Sequence, residues 1–328
     1  MRLKALISTV PFAANCSLPI DLLKANNIDY LVNPIGRKLS EEDLIALISD
    51  FDVLIAGTEP ITSKVLEAAT KLRLISRVGV GLDSVDLFAA RERGIKVCNT
   101  PVAPAPAVAE LSIALILNLL RKVHVANSEM HRGDWNRHFG RRVPEVVFGL
   151  IGCGKIGSRV LKGLQGLSAT QILVNDILEP NNFQYGESVK FVDKETIYQS
   201  ADVISLHLPL TAKTKNLICF DQLMMMKHDA VVINTSRGGI INEKDLSRVL
   251  HGGHLSGAAI DVFENEPYKG DLCGVERCLL TSHMGSMSLD CRAQMEIEAT
   301  EEVIRFLYGQ KLLSEVPFDA YELLAQGK

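Results

Sequence analysis

Short apolar runs alternate with segments of helical spacing along nearly the whole chain. The apolar runs predict strands at residues 5–7, 53–56, 74–78, 97–99, 147–151, 172–175, 203–207, 231–234 and 258–262. Apolar residues with a period of about 3.6 predict helices, among them those at 41–48, 64–71, 107–130, 155–167 and 290–308. Strand–helix alternation of this kind predicts an α/β protein whose parallel sheets are covered by helices on both faces.

Two segments are predicted to mark a boundary between domains. Residues 101–106 read Pro-Val-Ala-Pro-Ala-Pro, and their three prolines remove three backbone donors that a regular element needs. A second crossing is predicted just after Gly285, where another helix begins. The chain would then leave its first domain, build a second and return. Residues 1–101 and 288–328 would form one domain, and residues 102–287 the other.

The composition argues against several classes of protein. The 328 residues exceed what one hydrophobic core usually serves, so two domains are expected. A net charge of -4 argues against a nucleic-acid-binding surface, and the most apolar stretch, residues 111–120, is too short to cross a bilayer. None of the seven cysteines forms a C-x-x-C pair, and an odd number argues against a fully paired set of disulfides. Reduced thiols and the absence of a signal-peptide pattern predict a cytoplasmic protein.

A glycine-rich turn carries the first chemical signal. Residues 152–157 read G-C-G-K-I-G between a predicted strand and a predicted helix, which is the context that a dinucleotide-binding turn requires. Gly152 permits the tight turn, Gly154 lets the backbone approach a pyrophosphate, and Gly157 allows the helix to pack against the strand. The N-terminus of that helix would offer its free N–H groups to the phosphates.

An acidic residue supplies an independent signal for the cofactor. The next predicted strand ends at Asp176, and no Arg or Lys follows it closely. A carboxylate at this position hydrogen-bonds the ribose hydroxyls and repels a 2′-phosphate, so the sequence predicts NAD rather than NADP. The alternative is a chance glycine turn followed by a solvent-facing aspartate. The ordered succession of strand, glycines, helix, second strand and acid favours the cofactor site.

Three residues that follow strand-like runs have the chemistry needed to reduce a 2-keto acid. Arginine binds a carboxylate bidentately and keeps its charge, which points to Arg237. Histidine titrates close to working pH and can protonate a developing alkoxide, which points to His283. A carboxylate beside the histidine would hold the ring, and Glu264 and Glu266 are both candidates. Each residue alone is more often a surface residue, but all three are expected at the carboxyl edge of one sheet, where doubly wound folds bind ligands.

Together these motifs resemble the D-isomer-specific 2-hydroxyacid dehydrogenase family, which includes phosphoglycerate, glycerate, formate and D-lactate dehydrogenases. The chain has N-x-S-R-G at 234–238, D-V-F-x-x-E-P at 261–267 and H-x-G-S at 283–286 in the family's order and spacing. The resemblance covers nearly the whole chain. It implies an NAD-dependent dehydrogenase that transfers a hydride between the cofactor and a small D-2-hydroxy acid. It also implies two doubly wound parallel-sheet domains, a Rossmann NAD-binding domain inserted into a flavodoxin-like substrate domain, with substrate bound between them.

The resemblance also assigns roles to individual residues. It implies that Arg237 binds the carboxylate and polarises the carbonyl, that Glu266 rather than Glu264 tunes the histidine, and that His283 donates the proton. The implied cofactor contacts are Val80, Gly152, Gly154, Lys155, Ile156, Gly157, Asp176, Leu208, Pro209, Thr235, Ser236, Asp261 and Gly285. The implied substrate contacts are Val78, Gly79 and Arg237, and no metal is implied. The expected partners are a small 2-keto or 2-hydroxy acid and a second copy of the chain in a homodimer, not nucleic acid or a membrane.

The sequence departs from the family's pattern at two places that bear on the substrate. Residues 99–106 lack the glycine and asparagine often found there, and Ala56 and Gly57 stand where phosphoglycerate enzymes commonly have an arginine. A phosphoglycerate dehydrogenase is therefore a less favoured alternative. It is expected to lack a C-terminal regulatory domain, because the sequence leaves no room for one. A second alternative is an NADH-sensing, corepressor-like protein of the same fold. A third is a methyltransferase with a Rossmann-like sheet, although that chemistry has no need for the Arg–Glu–His set.

Overall fold

A computed structural model describes residues 2–178 and 186–317 of the protein. Their contacts divide the chain into two units. The first unit comprises the described residues up to Pro104 together with those from Ser286 onwards, and the second runs from Ala105 to Gly285. The predicted extension of the first domain over residues 318–328 lies outside the described residues.

The first unit is built on a parallel sheet. Within the described chain its strands are β1 (Lys4–Ile7), β2 (Asp29–Val32), β3 (Val53–Ala56), β4 (Leu74–Arg77) and β5 (Lys96–Cys98), in the order β2-β1-β3-β4-β5. Strands β3 and β4 are buried throughout, as expected for central strands of a parallel sheet covered on both faces. The strand order is that of flavodoxin-like folds, whose ligands bind at the switch point between β1 and β3.

Four helices follow these strands in the first part of the chain. They are α1 (Leu18–Ala25), α2 (Glu41–Ile48), α3 (Ser63–Ala68) and α4 (Leu87–Glu92). Local sequence explains where they begin: the Ser40 hydroxyl accepts from the amide of Asp43, whose carboxylate accepts from the Ser40 amide. Thr62 and Asp86 cap α3 and α4 through their side chains. Leu44, Ile48, Val65 and Leu87 from three of these helices join one core with the sheet.

The second unit contains a longer parallel sheet. In the described chain its strands are β6 (Val147–Ile151), β7 (Gln171–Asn175), β8 (Val189–Phe191), β9 (Val203–Leu206), β10 (Val231–Asn234), β11 (Gly257–Ile260) and β12 (Cys278–Leu280). Their order is β12-β11-β10-β9-β6-β7-β8, which places a switch point between β6 and β9 as in Rossmann folds. The hydrophobic pattern did not predict β2 or β8, because these edge strands are short and partly exposed.

Two hydrophobic cores cover this sheet, one on each face. The helices are α5 (Ala105–Arg121), α6 (Val123–His131), α7 (Gly157–Gly166), α8 (Lys194–Ser200), α9 (Phe220–Met225) and α10 (Glu243–His251). One core joins α5 and α7 to Val231 and Ile233, whereas the other joins α8, α9 and α10 to Val232. Successive residues of β10 therefore point to opposite cores, as the two-residue period of a strand requires.

The predicted single helix at 107–130 is wrong, because the structure has two helices there. Lys122 has a φ of 53° between α5 and α6, which breaks the first helix. Asn118 accepts from the backbone and ring nitrogens of His124 and so stabilises the start of the second helix. The prediction that residues 101–106 form no regular element is also wrong at its end, since α5 includes Pro106. Proline fits there because first-turn amides have no partner within the helix.

The last described helix, α11 (Leu289–Leu307), belongs to the first unit. It contacts α1, β3 and β4, and it begins one residue before its predicted start. No helix among the described residues is long and apolar enough to span a bilayer.

Candidate active site

The glycine turn follows β6 at the carboxyl edge of the seven-stranded sheet. Gly152 has a φ of 94°, and a Cβ there would overlap the carbonyl of His207. A Cβ on Gly157 would overlap the carbonyl of Gly152. A Cβ on Gly154, in contrast, would meet nothing within 4 Å. Two of the three glycines are therefore required by packing within the protein, whereas Gly154 leaves its backbone open to a ligand.

Asp176 follows β7 and lies against the glycine turn. One of its carboxylate oxygens accepts a 2.6 Å hydrogen bond from the amide of Cys153, and the other accepts a 2.9 Å bond from the amide of Leu178. Each oxygen keeps a further lone pair for a donor such as a ribose hydroxyl. The open backbone at Gly154 and the carboxylate at the end of the next strand therefore fit a dinucleotide.

The other predicted cofactor residues of this turn and of the β9 end lie near the surface. Lys155 is exposed, and Ile156 is half-buried immediately before α7. Leu208 is half-buried and packs on the core beneath the sheet, whereas Pro209 is exposed. The structure brings all four to the carboxyl edges of β6 and β9, which are neighbours in the sheet.

His207 is the first residue after β9, and its ring is held from one side. Its Nε2 lies 3.0 Å from the Ser205 hydroxyl, whereas its Nδ1 is buried and has no hydrogen-bond partner among the described residues. Part of the residue remains accessible, but burial of the ring lowers the pKa of His207 to about 4. The imidazole is therefore neutral at neutral pH.

The loop after β10 carries Arg237. The Asn234 side chain organises it, because its oxygen accepts from the amide and hydroxyl of Ser236 and its nitrogen donates to the Arg237 carbonyl at 2.8 Å. The hydroxyls of Thr235 and Ser112 lie 2.7 Å apart. The Arg237 guanidinium donates a 2.6 Å hydrogen bond to the Ser236 carbonyl and is half-buried.

The Arg237 loop packs directly against the loop that carries Glu266. A Cβ on Gly238 would overlap the backbone of Phe263 and Glu264. Glycine is therefore required immediately after the arginine for the two loops to approach this closely. Within the second loop, the Phe263 amide donates to Oε1 of Glu266 at 3.1 Å.

Asp261 organises the loop that carries His283. Its carboxylate is buried and accepts from the Thr281 hydroxyl at 2.6 Å, from the Met284 amide at 2.9 Å and from the Gly285 amide at 3.0 Å. Its backbone carbonyl accepts from the His283 amide at 2.8 Å. His283 itself has a φ of 52°, a conformation that few non-glycine residues adopt without support from their surroundings.

Glu266 and His283 form a direct pair. Nδ1 of His283 lies 2.9 Å from Oε2 and 3.0 Å from Oε1 of Glu266. The exposed fractions of the two side chains are 36% for the histidine and 25% for the glutamate, so the pair is partly shielded but open to small molecules. A carboxylate on Nδ1 fixes the ring and leaves Nε2 to exchange a proton with a ligand.

The remaining predicted residues, Val78, Gly79 and Val80, belong to the first unit. They follow β4 at the carboxyl edge of the five-stranded sheet. Gly79 has a φ of 140°, its amide donates to the Thr100 hydroxyl at 2.8 Å, and its carbonyl accepts from the Thr100 amide. Val78 is buried, and Val80 is 38% exposed.

Sequence reasoning missed two residues that shape the loops carrying Arg237 and Glu266. Gly238 had a usable signal, since a glycine directly after a candidate catalytic arginine indicates a close backbone approach. Glu243 accepts from the Glu264 amide at 2.7 Å, but an acidic residue in the first turn of a helix is too common to be a signal. Among the described residues, no group of three or more His, Cys, Asp and Glu side chains is arranged to hold a metal ion.

Comparison with known proteins identifies the family. Residues 113–285 match the NAD binding domain of the D-isomer specific 2-hydroxyacid dehydrogenases. A hydroxypyruvate reductase from Thermotoga maritima is 33% identical over 279 residues, which cover 83% of this chain and 90% of that protein. The chain therefore belongs to the D-isomer specific 2-hydroxyacid dehydrogenase family.

Other relatives differ in length and in the substrate that their names state. A D-3-phosphoglycerate dehydrogenase from Methanocaldococcus jannaschii is 36% identical over 282 residues, which cover 84% of this chain and 53% of that protein. The chain thus spans about half the length of that relative. The crystal structure of the TT0316 protein from Thermus thermophilus has a TM-score of 0.87 and 30% identity, and the match covers 96% of this chain and 100% of that one.

These findings confirm four predictions from the sequence. They are the family, the two parallel-sheet α/β domains with a Rossmann NAD-binding domain, the class of NAD-dependent 2-hydroxyacid dehydrogenases, and NAD as the cofactor.

Proposed function

We propose that the protein reduces a small, non-phosphorylated 2-keto acid to the D-2-hydroxy acid, with Arg237, Glu266 and His283 as its catalytic residues. The observation that carries the proposal is the pair between Glu266 and Nδ1 of His283, on two loops at the same sheet edge as the glycine turn. The phosphoglycerate and corepressor-like alternatives require no change of fold, so only an assay separates them.

Arg237 binds and polarises the substrate. Its guanidinium takes the substrate carboxylate bidentately and donates to the C2 carbonyl oxygen, which withdraws electron density from C2. The contact between Gly238 and the backbone of Phe263 supports this role, because it fixes the start of the arginine loop against the loop of Glu266.

His283 donates the proton. With Nδ1 on Glu266, the protonated ring presents Nε2–H to the C2 oxygen and transfers its proton as the alkoxide forms. Glu266 accepts from Nδ1–H and keeps the ring in this orientation. In the oxidative direction, the neutral ring takes the hydroxyl proton back at the same nitrogen.

NADH, when bound, supplies the hydride that C2 receives. The Gly154 backbone and the N-terminus of α7 would face the pyrophosphate, and the Asp176 carboxylate would take the ribose hydroxyls. Further contacts are proposed for Val80, Lys155, Ile156, Leu208, Pro209, Thr235, Ser236, Asp261 and Gly285. In the first unit, Val78 and Gly79 are proposed to bind the substrate.

The proposed substrate class follows from the relatives and from one local departure. Relatives include a hydroxypyruvate reductase and a glyoxylate reductase from Korarchaeum cryptofilum that is 34% identical over 280 residues. Ala56 and Gly57 provide no cation where phosphoglycerate enzymes commonly have an arginine. We therefore place hydroxypyruvate and glyoxylate ahead of phosphohydroxypyruvate.

We also propose that the protein is a cytoplasmic homodimer, and that its two domains divide within three residues of the predicted boundaries. Trp135 and Phe139 lie after α6 with exposed fractions of 79% and 97%, and Val123 and Met130 on α6 are each 53% exposed. A second copy that covers this apolar segment would remove it from water.

The decisive experiment is NADH oxidation against hydroxypyruvate, glyoxylate, pyruvate and phosphohydroxypyruvate. We expect turnover that His283→Ala lowers by about 100-fold to 10,000-fold, while NADH binding persists. A preference for phosphohydroxypyruvate would establish the phosphoglycerate alternative. Tight NADH binding without turnover on any of these acids would favour the sensing role.

A further inference from the structure

Glu243 joins a helix to the loop that carries the proposed catalytic carboxylate. It is the first residue of α10 and is half-buried. Its Oε1 accepts a 2.7 Å hydrogen bond from the backbone amide of Glu264, two residues before Glu266. The helix itself is anchored by the Asn242 cap and by a buried face of leucines and valine. The contact therefore ties an otherwise exposed part of the loop to a fixed element.

The other contacts of this loop are packing contacts and bonds of neighbouring residues, and they leave the Glu264 amide to be satisfied by Glu243. Gly238 packs on the backbone of Phe263 and Glu264, and the Phe263 ring stacks on Tyr268 with 4.2 Å between ring centroids. The Phe263 amide donates to Glu266. The Glu264 side chain is exposed, so the Glu243 carboxylate is what satisfies the amide at the outer side of the loop.

Glu243 stays at this position although burial and two nearby carboxylates disfavour its charged form. The pKa of Glu243 is raised, chiefly by burial; the hydrogen bond from the Glu264 amide lowers it in part, and the charges of Glu264 and Glu266 raise it further. Burial is also the main reason that the pKa of Tyr268 is raised, with Glu243 among the charges that contribute. A glutamate that served only the helix terminus could point into solvent and avoid all of these effects.

We propose that Glu243 is a positioning residue for the reaction: its hydrogen bond to the Glu264 amide holds the loop so that Glu266 stays on Nδ1 of His283. This inference rests on the proposed function, since it concerns the orientation of the proposed proton donor. Glu243 acts through the loop and does not touch the reacting atoms.

The test compares two substitutions that separate the length of the side chain from its charge. Glu243→Asp keeps the charge but shortens the side chain, whereas Glu243→Gln keeps the length and an oxygen acceptor but removes the charge. Glu195→Asp and Glu195→Gln are matched controls, because Glu195 is an exposed acid in the first turn of α8. Steady-state kinetics across pH and NADH titration are measured for all four variants and the wild type.

We expect Glu243→Asp to lower kcat for keto-acid reduction by about tenfold, and to move the alkaline limb of its pH profile to lower pH. Glu266 would then hold Nδ1 of His283 less firmly. NADH affinity should stay within about twofold, because the glycine turn is on another loop. Glu243→Gln should remain close to the wild type, and the Glu195 variants should match it.

The ranking of the two variants decides the inference. A Glu243→Gln enzyme impaired as much as or more than Glu243→Asp would overturn positioning, as would wild-type kinetics for both. The NMR titration of the His283 ring, assigned by its loss in His283→Ala, gives a second readout that needs no turnover. If the wild type turns over no keto acid, the proposed function fails. The inference is then decided by that titration. It stands if Glu243→Asp shifts the titration of the His283 ring and Glu243→Gln does not, and it falls otherwise.

Discussion

The carboxyl edges of the two sheets have the same kind of topology but opposite chemistry. Each sheet has a switch point, between β1 and β3 in the first unit and between β6 and β9 in the second. In the first unit, buried polar groups at this point hydrogen-bond one another: Glu59 accepts from the Ser8 hydroxyl and from the Gly57 amide. In the second unit, the corresponding position carries the glycine turn, whose Gly154 backbone is open.

The first unit also contains a buried ion pair. Arg292 on α11 donates from Nε to Glu296 at 2.7 Å, and its Nη2 donates to the Thr9 hydroxyl at 2.9 Å and to the Pro11 carbonyl. The second Glu296 oxygen accepts from the Ala13 amide at 2.8 Å. These bonds hold the loop after β1 from inside the protein.

The comparison teaches that strand order alone does not decide where a cofactor binds. Strand order brings loops to one edge, but the loop residues decide whether polar groups are satisfied internally or left for a ligand. Four predictions test this contrast between the edge of the first sheet, whose polar groups bind one another, and the edge of the second sheet, which is open to a ligand.

The largest effect is expected from removing the buried cation of the first edge. Arg292→Leu would leave Glu296, which is only 2% exposed, without its partner and should lower the free energy of unfolding by about 3–5 kcal/mol. NADH affinity should not change. Arg93→Leu, whose partner Glu67 is exposed, is the control and should cost less than about 1 kcal/mol in chemical unfolding. Unchanged stability with weaker ligand binding would make the network part of a ligand site.

The second effect concerns His207 at the open edge. Its pKa of about 4 in the folded protein lies below the value of 6.5 expected for the unfolded chain. The unfolded chain therefore takes up the proton first, and stability is lost as the pH falls through this window, by up to about 3 kcal/mol. In urea unfolding, His207→Asn should show a flatter profile between pH 6.5 and 4 than the wild type. Parallel profiles would contradict burial of a neutral ring.

The third prediction distinguishes Gly157, which packing requires, from Gly154, whose backbone is open to a ligand. Gly154→Ala should leave the melting temperature almost unchanged, because its Cβ meets nothing within 4 Å, yet lower NADH affinity. The expected loss is about 100-fold, or about 2.8 kcal/mol. Gly157→Ala should lower both stability and NADH affinity, since its Cβ overlaps the Gly152 carbonyl. Calorimetry and NADH fluorescence titration measure the two quantities; equal behaviour of the variants would refute the distinction.

The smallest effect is expected for cofactor choice at Asp176. Asp176→Asn keeps an oxygen for the Cys153 amide but removes the charge that would repel a 2′-phosphate. The preference for NADH over NADPH should fall by about tenfold, or about 1.4 kcal/mol. Binding of both cofactors is measured by fluorescence titration. A preference that stays as in the wild type would mean that Asp176 serves only the glycine turn.

Much of the fold could be predicted from the sequence. The central strands β3, β6, β9 and β10 are mostly apolar because both of their faces are buried, and such runs are visible without coordinates. The edge strands β2 and β8 were not visible, since they are short and partly exposed. The break at Lys122 depends on one left-handed residue that helix propensity does not reveal.

For the site, the sequence by itself supplied the candidate groups and their order along the chain: the glycine turn, Asp176, Arg237, either Glu264 or Glu266, and His283. Only the family resemblance chose Glu266 over Glu264. Local signals help there, because a tight turn favours glycine and a proton donor near neutral pH is most often a histidine. Only the tertiary structure decided that Glu266 contacts Nδ1 of His283, that Gly238 packs under Phe263, and that Glu243 reaches the Glu264 amide. These contacts join residues that are distant in sequence, and the strand order that brings their loops together arises from the packing of the whole sheet.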